Sequence, residues 1–181
     1  MGAIEPFAQN KLIMGVLSTS PEQKEALRHL LVEEFGPIDY ESQEFDFDFT
    51  DYYVPEMGSG IKRFFYSFVN LVDPDDLPDI KIRTNGLEEK FAIDSSRKIN
   101  RDPGLLSLSS LILATTKNNV HRIPLQKGIY GEVTLMYVNK EYQTLPWTYA
   151  DYRTPAFHEI FKEMRTLLKK RIRAEQSPAG N

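Results

Sequence analysis

The chain has 181 residues, of which 41% are apolar and 27% charged, with 22 basic against 26 acidic side chains and a formal net charge of -4. That length suits one domain burying about 70% of its unfolded surface, and the apolar content excludes a disordered chain. The acidic balance argues against a surface built wholly for nucleic acid, and the absence of cysteine excludes disulfides and thiolate metal sites.

Lys11 to Leu17 is a short apolar run closed by Ser18-Thr19-Ser20-Pro21 and predicts a buried first strand. A helix follows, with Ser20 as N-cap, Pro21 in the first turn, Gln23 completing a capping box, and Leu27, Leu30, Leu31 and Phe35 as its stripe before Gly36. From Ile38 to Phe49 the period changes to two. Phe45, Phe47 and Phe49 then share one face of a strand, and Glu44, Asp46 and Asp48 share the other.

Ile61 to Val72 predicts a third strand, and Leu77, Ile80, Thr84, Leu87 and Phe91 recur at helical spacing after Asp73-Pro74. Lys98 to Arg101 reads as extended, and Asp102-Pro103-Gly104 as a turn. Residues 107–116 fit either period; a short helix is the reading adopted. His121 to Leu125 and Ile129 to Val138 predict a hairpin across Gln126-Lys127-Gly128, with a further strand at Tyr142 to Trp147. A last helix starts near Thr154-Pro155, its stripe running from Phe157 to Ile172 and its end basic; Gln176 to Asn181 reads as a disordered tail.

The expected fold is α+β: one domain over residues 1–175 with a mainly antiparallel sheet, helices on one of its faces, a ferredoxin-like βαββα start, and a C-terminal hairpin and helix. The first ten residues lack the features of a secretory signal, and no apolar run approaches a membrane span. A cytoplasmic protein without a membrane partner is expected.

Two clusters carry candidate chemistry. Asp46, Asp48 and Asp51 could supply oxygen ligands to a hard cation such as magnesium, although the same alternation marks the solvated face of an edge strand. The second cluster comprises Thr116, Lys117, His121 and Arg122, with Lys127 across the predicted hairpin and Glu132 beyond it. Thr116, Lys117, Arg122 and Lys127 are the donors expected to hold an anion, and His121 and Glu132 the candidates for acid–base work. The aromatic segment Trp147, Tyr149 and Tyr152 could stack a flat ligand or anchor the loop before the last helix.

Thr116-Lys117-Asn118-Asn119 resembles the guanine-specificity loop of GTPases, but Asn119 stands where that loop needs Asp. Gly58-Ser59-Gly60-Ile61-Lys62-Arg63 lacks the spacing of a phosphate loop. Nucleophile-elbow, zinc-helix and dinucleotide fingerprints are missing too, and a structural zinc site is not expected.

Phe47-Asp48-Phe49-Thr50-Asp51-Tyr52-Tyr53, Asp102-Pro103-Gly104, Ala114-Thr115-Thr116-Lys117, His121-Arg122-Ile123, Gly128-Ile129-Tyr130 and Pro146-Trp147-Thr148-Tyr149 with Asp151-Tyr152-Arg153 together resemble an uncharacterised bacterial family of single-domain proteins of unknown function. Its members sometimes carry a GTP-binding label. The resemblance covers nearly the whole chain, implies one domain, and brings no assigned activity. Two functional expectations result. The first is binding of, or action on, a phosphorylated or otherwise anionic small molecule such as a nucleotide. The alternative is a non-enzymatic interaction or regulatory protein that contacts a protein or RNA partner. Either is compatible with an oligomer.

Overall fold

A computed structural model describes residues 2–89 and 98–176. Strand β1 (Asn10–Ser18) lies inside the sheet, and both of its faces are covered. Leu12, Met14 and Val16 meet one helical layer, while Ile13 and Leu17 enter clusters on the opposite side. Burial on both faces is why this segment shows an unbroken apolar run rather than alternation. Lys11 is nevertheless fully buried, its ammonium bonded to Asp39 and, at 2.8 Å, to the Phe68 carbonyl. Desolvation there pushes the Lys11 pKa down, and Asp39 partly restores it.

Helix α1 (Lys24–Phe35) begins after a 3-10 turn over Pro21–Gln23, and it lacks the expected capping box. Ser20 Oγ bonds Glu22 instead, at 3.0 Å, and Gln23 caps without a side-chain bond. Leu27, Leu31 and Phe35 form its buried stripe, and Gly36 (φ 89°) ends it. The predicted strand from Ile38 to Phe49 is two short ones, β2 (Ile38–Glu41) and β3 (Phe45–Asp46). The Ser42 hydroxyl takes the Phe65 N–H at 2.9 Å at the break, replacing a ladder bond by a side-chain bond.

A 3-10 turn (Asp51–Tyr53) capped by Thr50 and a short α2 (Val54–Met57) lead to β4 (Lys62–Val72). Helix α3 (Leu77–Glu89) follows as predicted, with Phe91 outside the described residues. The later strands are β5 (Ile99–Leu106), β6 (Ser110–Thr115), β7 (Ile123–Pro124), β8 (Tyr130–Val138) and β9 (Glu141–Thr144). Asn139 and Lys140 both have positive φ, 52° and 65°, the backbone of a two-residue hairpin turn between β8 and β9. Helix α4 (Pro155–Gln176) takes in Gln176, and the remainder of the predicted tail lies outside the described residues.

The sheet path is β2-β4-β1-β5-β6-β8-β7, with β3 on β4 and β9 on β8; every pairing is antiparallel. Its first four positions reproduce the ferredoxin-like order, with α1 and α3 on the same face, and β6, β8 and β7 extend it. The expectation of helices on one face holds for α1 and α3 only. Helix α4 lays Phe157, Ile160, Phe161 and Met164 on the other face, against Ile13, Phe65, Leu111 and Leu135.

Two further expectations are corrected around β5. Residues 110–115 form a strand rather than a helix: Ser107 Oγ accepts from Ser109 N and Ser110 N, making the turn of a β5–β6 hairpin. Asp102-Pro103-Gly104 lies within β5 and is no turn. The Ser107 N–H points to β6, where it meets the Ser110 carbonyl at 2.9 Å. Alternation then aims residues 105 and 103 the same way. Residue 103 is proline, with no N–H to give, so the β5–β6 ladder stops at Gly104↔Leu113. On the other flank β5 stays paired with β1 down to Ile99.

Candidate functional site

A cleft of about 800 Å³ opens where β5 and β6 part. Asn100 and Asp102 of β5 face Leu113, Ala114 and Thr115 of β6 across it. The segment from Phe47 to Tyr53 forms an aromatic wall, α3 contributes Lys81 and Asn85, and residues 149–152 close the remaining side.

One side of the cleft is built on Arg63, whose side chain is buried. Its Nε and Nη2 donate to Asp151 Oδ2 at 3.0 and 2.9 Å, and its Nη1 donates to Asp102 Oδ2 at 3.2 Å. Asn100 Nδ2 reaches the same Asp102 oxygen at 3.1 Å. The guanidinium carbon lies 5.7, 5.5 and 5.3 Å from the ring centres of Phe47, Phe65 and Tyr152, a setting for cation–π attraction. Gly15 makes room: a Cβ there would stand 2.9 Å from the Tyr152 hydroxyl and 3.2 Å from Arg63 Nη1. Two carboxylates share this one guanidinium, and the side chain of Asp102 is 25% exposed. Burial first, and then the charge of Asp102, hold the Tyr53 phenol above its ordinary range, so it remains a hydroxyl.

The other side brings together five of the predicted residues. Glu132, only 2% exposed, accepts at Oε2 from Arg122 Nε and pairs with His121 Nε2, both at 2.8 Å. Arg122 also donates to the Lys117 carbonyl at 2.9 Å and to the Tyr149 hydroxyl at 2.7 Å. It thus ties the 117–122 loop to β8 and to the segment before α4. The His121 ring stacks on Trp147, with centroids 5.0 Å apart and planes 11° from parallel. Trp147 in turn donates from Nε1 to the Val133 carbonyl at 2.9 Å. Thr116 and Lys117 line the rim, where Lys117 Nζ donates to the Tyr52 hydroxyl at 2.6 Å and sits 4.4 Å from the centre of that ring.

The remaining predicted residues lie elsewhere. The turn at Lys127 (φ 56°) and Gly128 (φ 76°) carries Lys127 to Asp79 of α3, a 2.6 Å exposed ion pair away from the cleft. Asp46 pairs with Lys62 at 2.5 Å, Asp48 is exposed, and Asp51 heads the 3-10 turn. Lys24 also pairs with Glu41 and Glu44, so the acidic face meets cations of its own chain. Among the described residues no group of three or more acidic or histidine side chains is placed to hold a metal ion.

Sequence reasoning missed Arg63, Asp102, Asp151, Tyr53, Lys81 and Asn85. Arg63 left a readable signal, since an arginine ahead of Phe64-Phe65-Tyr66 in a buried strand demands a buried acceptor. Asp151 and Asp102 were visible only as parts of a loop and an apparent turn.

Fold and cleft together define an α+β protein with a ferredoxin-like core, an extended antiparallel sheet, and a polar, tyrosine-walled cleft at the split between two strands. The chain belongs to the family described as Domain of unknown function (DUF4416), whose model matches residues 8–167. No curated protein and no solved structure matched it. No helix among the described residues is long and apolar enough to cross a membrane.

Proposed function

We propose that the cleft binds a small anionic molecule that also carries a flat ring, with a nucleotide as the leading candidate. The observation that carries this reading is the state of Lys117. Its ammonium stands at the cleft rim on a tyrosine hydroxyl and has no carboxylate within 4.0 Å among the described residues. Arg122, by contrast, is matched by Glu132. Lys117 therefore supplies charge to a ligand, whereas Arg122 holds the loop that presents it. The exposed faces of Phe49, Tyr52 and Tyr149 beside it offer stacking surface to a ring.

In this reading His121 and Glu132 position the loop. Glu132 is already bonded to a guanidinium and an imidazole, and His121 is pinned by stacking. The function is binding, with no reaction assigned to these two groups.

Titration calorimetry of the full chain with adenosine 5′-monophosphate tests the reading. Binding is expected, and Lys117→Ala should weaken it roughly tenfold, the effect of one lost charge-assisted bond. At 100 times Kd the ligand should stabilise the fold by about 2.7 kcal/mol. A wild-type chain whose melting temperature ignores nucleotides, sugar phosphates and dicarboxylates alike would refute it and favour a macromolecular partner.

A further inference from the structure

Besides Arg63, the cleft is lined by a second buried cation, Lys81 of α3. It is 7% exposed, and among the described residues its ammonium makes one hydrogen bond, to the Arg101 carbonyl of β5 at 3.0 Å. An ammonium has three donors, so two N–H groups are left, and among the described residues no carboxylate lies within 4.0 Å. A buried charge without a counter-charge is costly, and proteins retain one where something else supplies the opposite sign. Asn85 stands one turn further along α3 and lines the same cleft.

The opposite wall is equally specific. Where Pro103 ends the β5–β6 ladder, alternation turns the main chain of Ala114 toward the gap rather than toward β8. Ala114 and Thr115 both line the cleft at that point. Lys81, Asn85 and the edge of β6 thus line the same cleft at the split in the sheet.

We propose that this part of the cleft is an oxyanion seat: Lys81 and Asn85 receive the phosphate or carboxylate end of the ligand, which enters through the gap that Pro103 opens. The proposal rests on the reading of the cleft as an anion site. It adds which end of the ligand goes deepest and which residues read it. Lys117 and the tyrosines at the rim then meet the rest of the molecule.

Four probes separate the elements of this claim: adenosine 5′-monophosphate, adenosine, inorganic phosphate and succinate, each titrated into the full chain and into Lys81→Met. The variant is expected to bind the monophosphate roughly 10- to 100-fold more weakly, the loss of a bond to a charged group, and to bind adenosine as the wild type does. Without ligand it should melt no lower than wild type, because it removes an uncompensated buried charge. A seat that takes phosphate shows Lys81-dependent binding of inorganic phosphate, and one that takes carboxylate shows it for succinate.

If Lys81→Met binds the monophosphate like wild type, the seat is wrong while the reading of the cleft stands. If Lys81→Met melts lower and keeps the wild-type ratio of monophosphate to adenosine affinity, Lys81 is structural and the proposal falls. If the wild type binds none of the four, the reading of the cleft fails and takes the seat with it. Asn85→Ala, at a half-buried position, covers the case in which Lys81→Met does not fold. It must weaken the monophosphate and spare adenosine, and an unchanged monophosphate affinity overturns the seat.

Discussion

Removing Asp151 should expose how strongly the cleft is braced from within. Asp151→Ala deletes the acceptor of two Arg63 bonds, at 3.0 and 2.9 Å, in a place where the two side chains are 4% and 5% exposed. Breaking a buried pair by deleting one partner typically costs 3–5 kcal/mol. Asp102 remains 3.2 Å from Nη1 and still balances the charge, which places the expected loss at the lower end, about 3 kcal/mol. For a chain of this size that lowers Tm by roughly 6–12 °C. Asp102→Ala, by contrast, removes one longer Arg63 bond and the Asn100 bond from a partly exposed and solvent-screened carboxylate, and should cost about 1 kcal/mol. Urea unfolding of the three proteins, with m-values compared to confirm a common unfolded state, measures both numbers. Equal losses for the two variants, or a loss below about 1 kcal/mol for Asp151→Ala, would sink the claim that Arg63 is anchored chiefly through Asp151.

Three other outcomes are expected. Gly15→Ala puts a methyl 2.9 Å from the Tyr152 hydroxyl and 3.3 Å from the Phe65 ring; overpacking should lower stability by about 1–3 kcal/mol, and an unchanged denaturation midpoint would contradict it. Glu132→Gln removes the charge that binds Arg122 and His121. Amide exchange over residues 117–122 should accelerate, at a stability loss of about 2 kcal/mol, and unchanged exchange would mean that the loop is held by other contacts. Finally, partial burial, reinforced by the Glu132 charge, pushes the Tyr149 phenol up to about 12, and burial together with the nearby Glu163 carboxylate does the same for Tyr40. The native state keeps these protons while the unfolded chain loses them near pH 10. Stability should therefore fall between about pH 10 and 12, with the native tyrosine absorbance at 295 nm rising late; a melting temperature flat across that window would count against it.

What the sequence conveyed, and what it hid, follows from where each signal is stored. The ferredoxin-like start was legible because β1, α1, β4 and α3 each declare their period locally, as in the stripe of Leu27, Leu31 and Phe35. The strand nature of residues 110–115 was hidden because its evidence is the Ser107 turn and the partner strands on both sides. Asp102-Pro103-Gly104 misled for a related reason. A proline in a strand is acceptable when its missing N–H faces an open flank, a fact about neighbours that no local pattern contains. The cluster of Lys117, His121, Arg122 and Glu132 could be anticipated from the density of polar groups beside a hairpin. Lys127 could not be excluded, since its partner Asp79 lies on α3, 48 positions away in the sequence. Lys81 was unreadable as a site residue, because on a helix it looks like any solvated lysine.

The placement of α4 also governs the order in which this chain can become stable during synthesis. Among the described residues, α4 is the helix that covers the Ile13, Phe65, Leu111 and Leu135 face of the sheet, and it is the last element in chain order. On a ribosome that supplies the N-terminus first, β1 through β9 emerge with one apolar side still wet. Arg63 then waits for Asp151, which arrives just ahead of α4. The nascent sheet thus passes through a stage in which a binding agent for exposed hydrophobic surface has a target, which α4 covers once it docks.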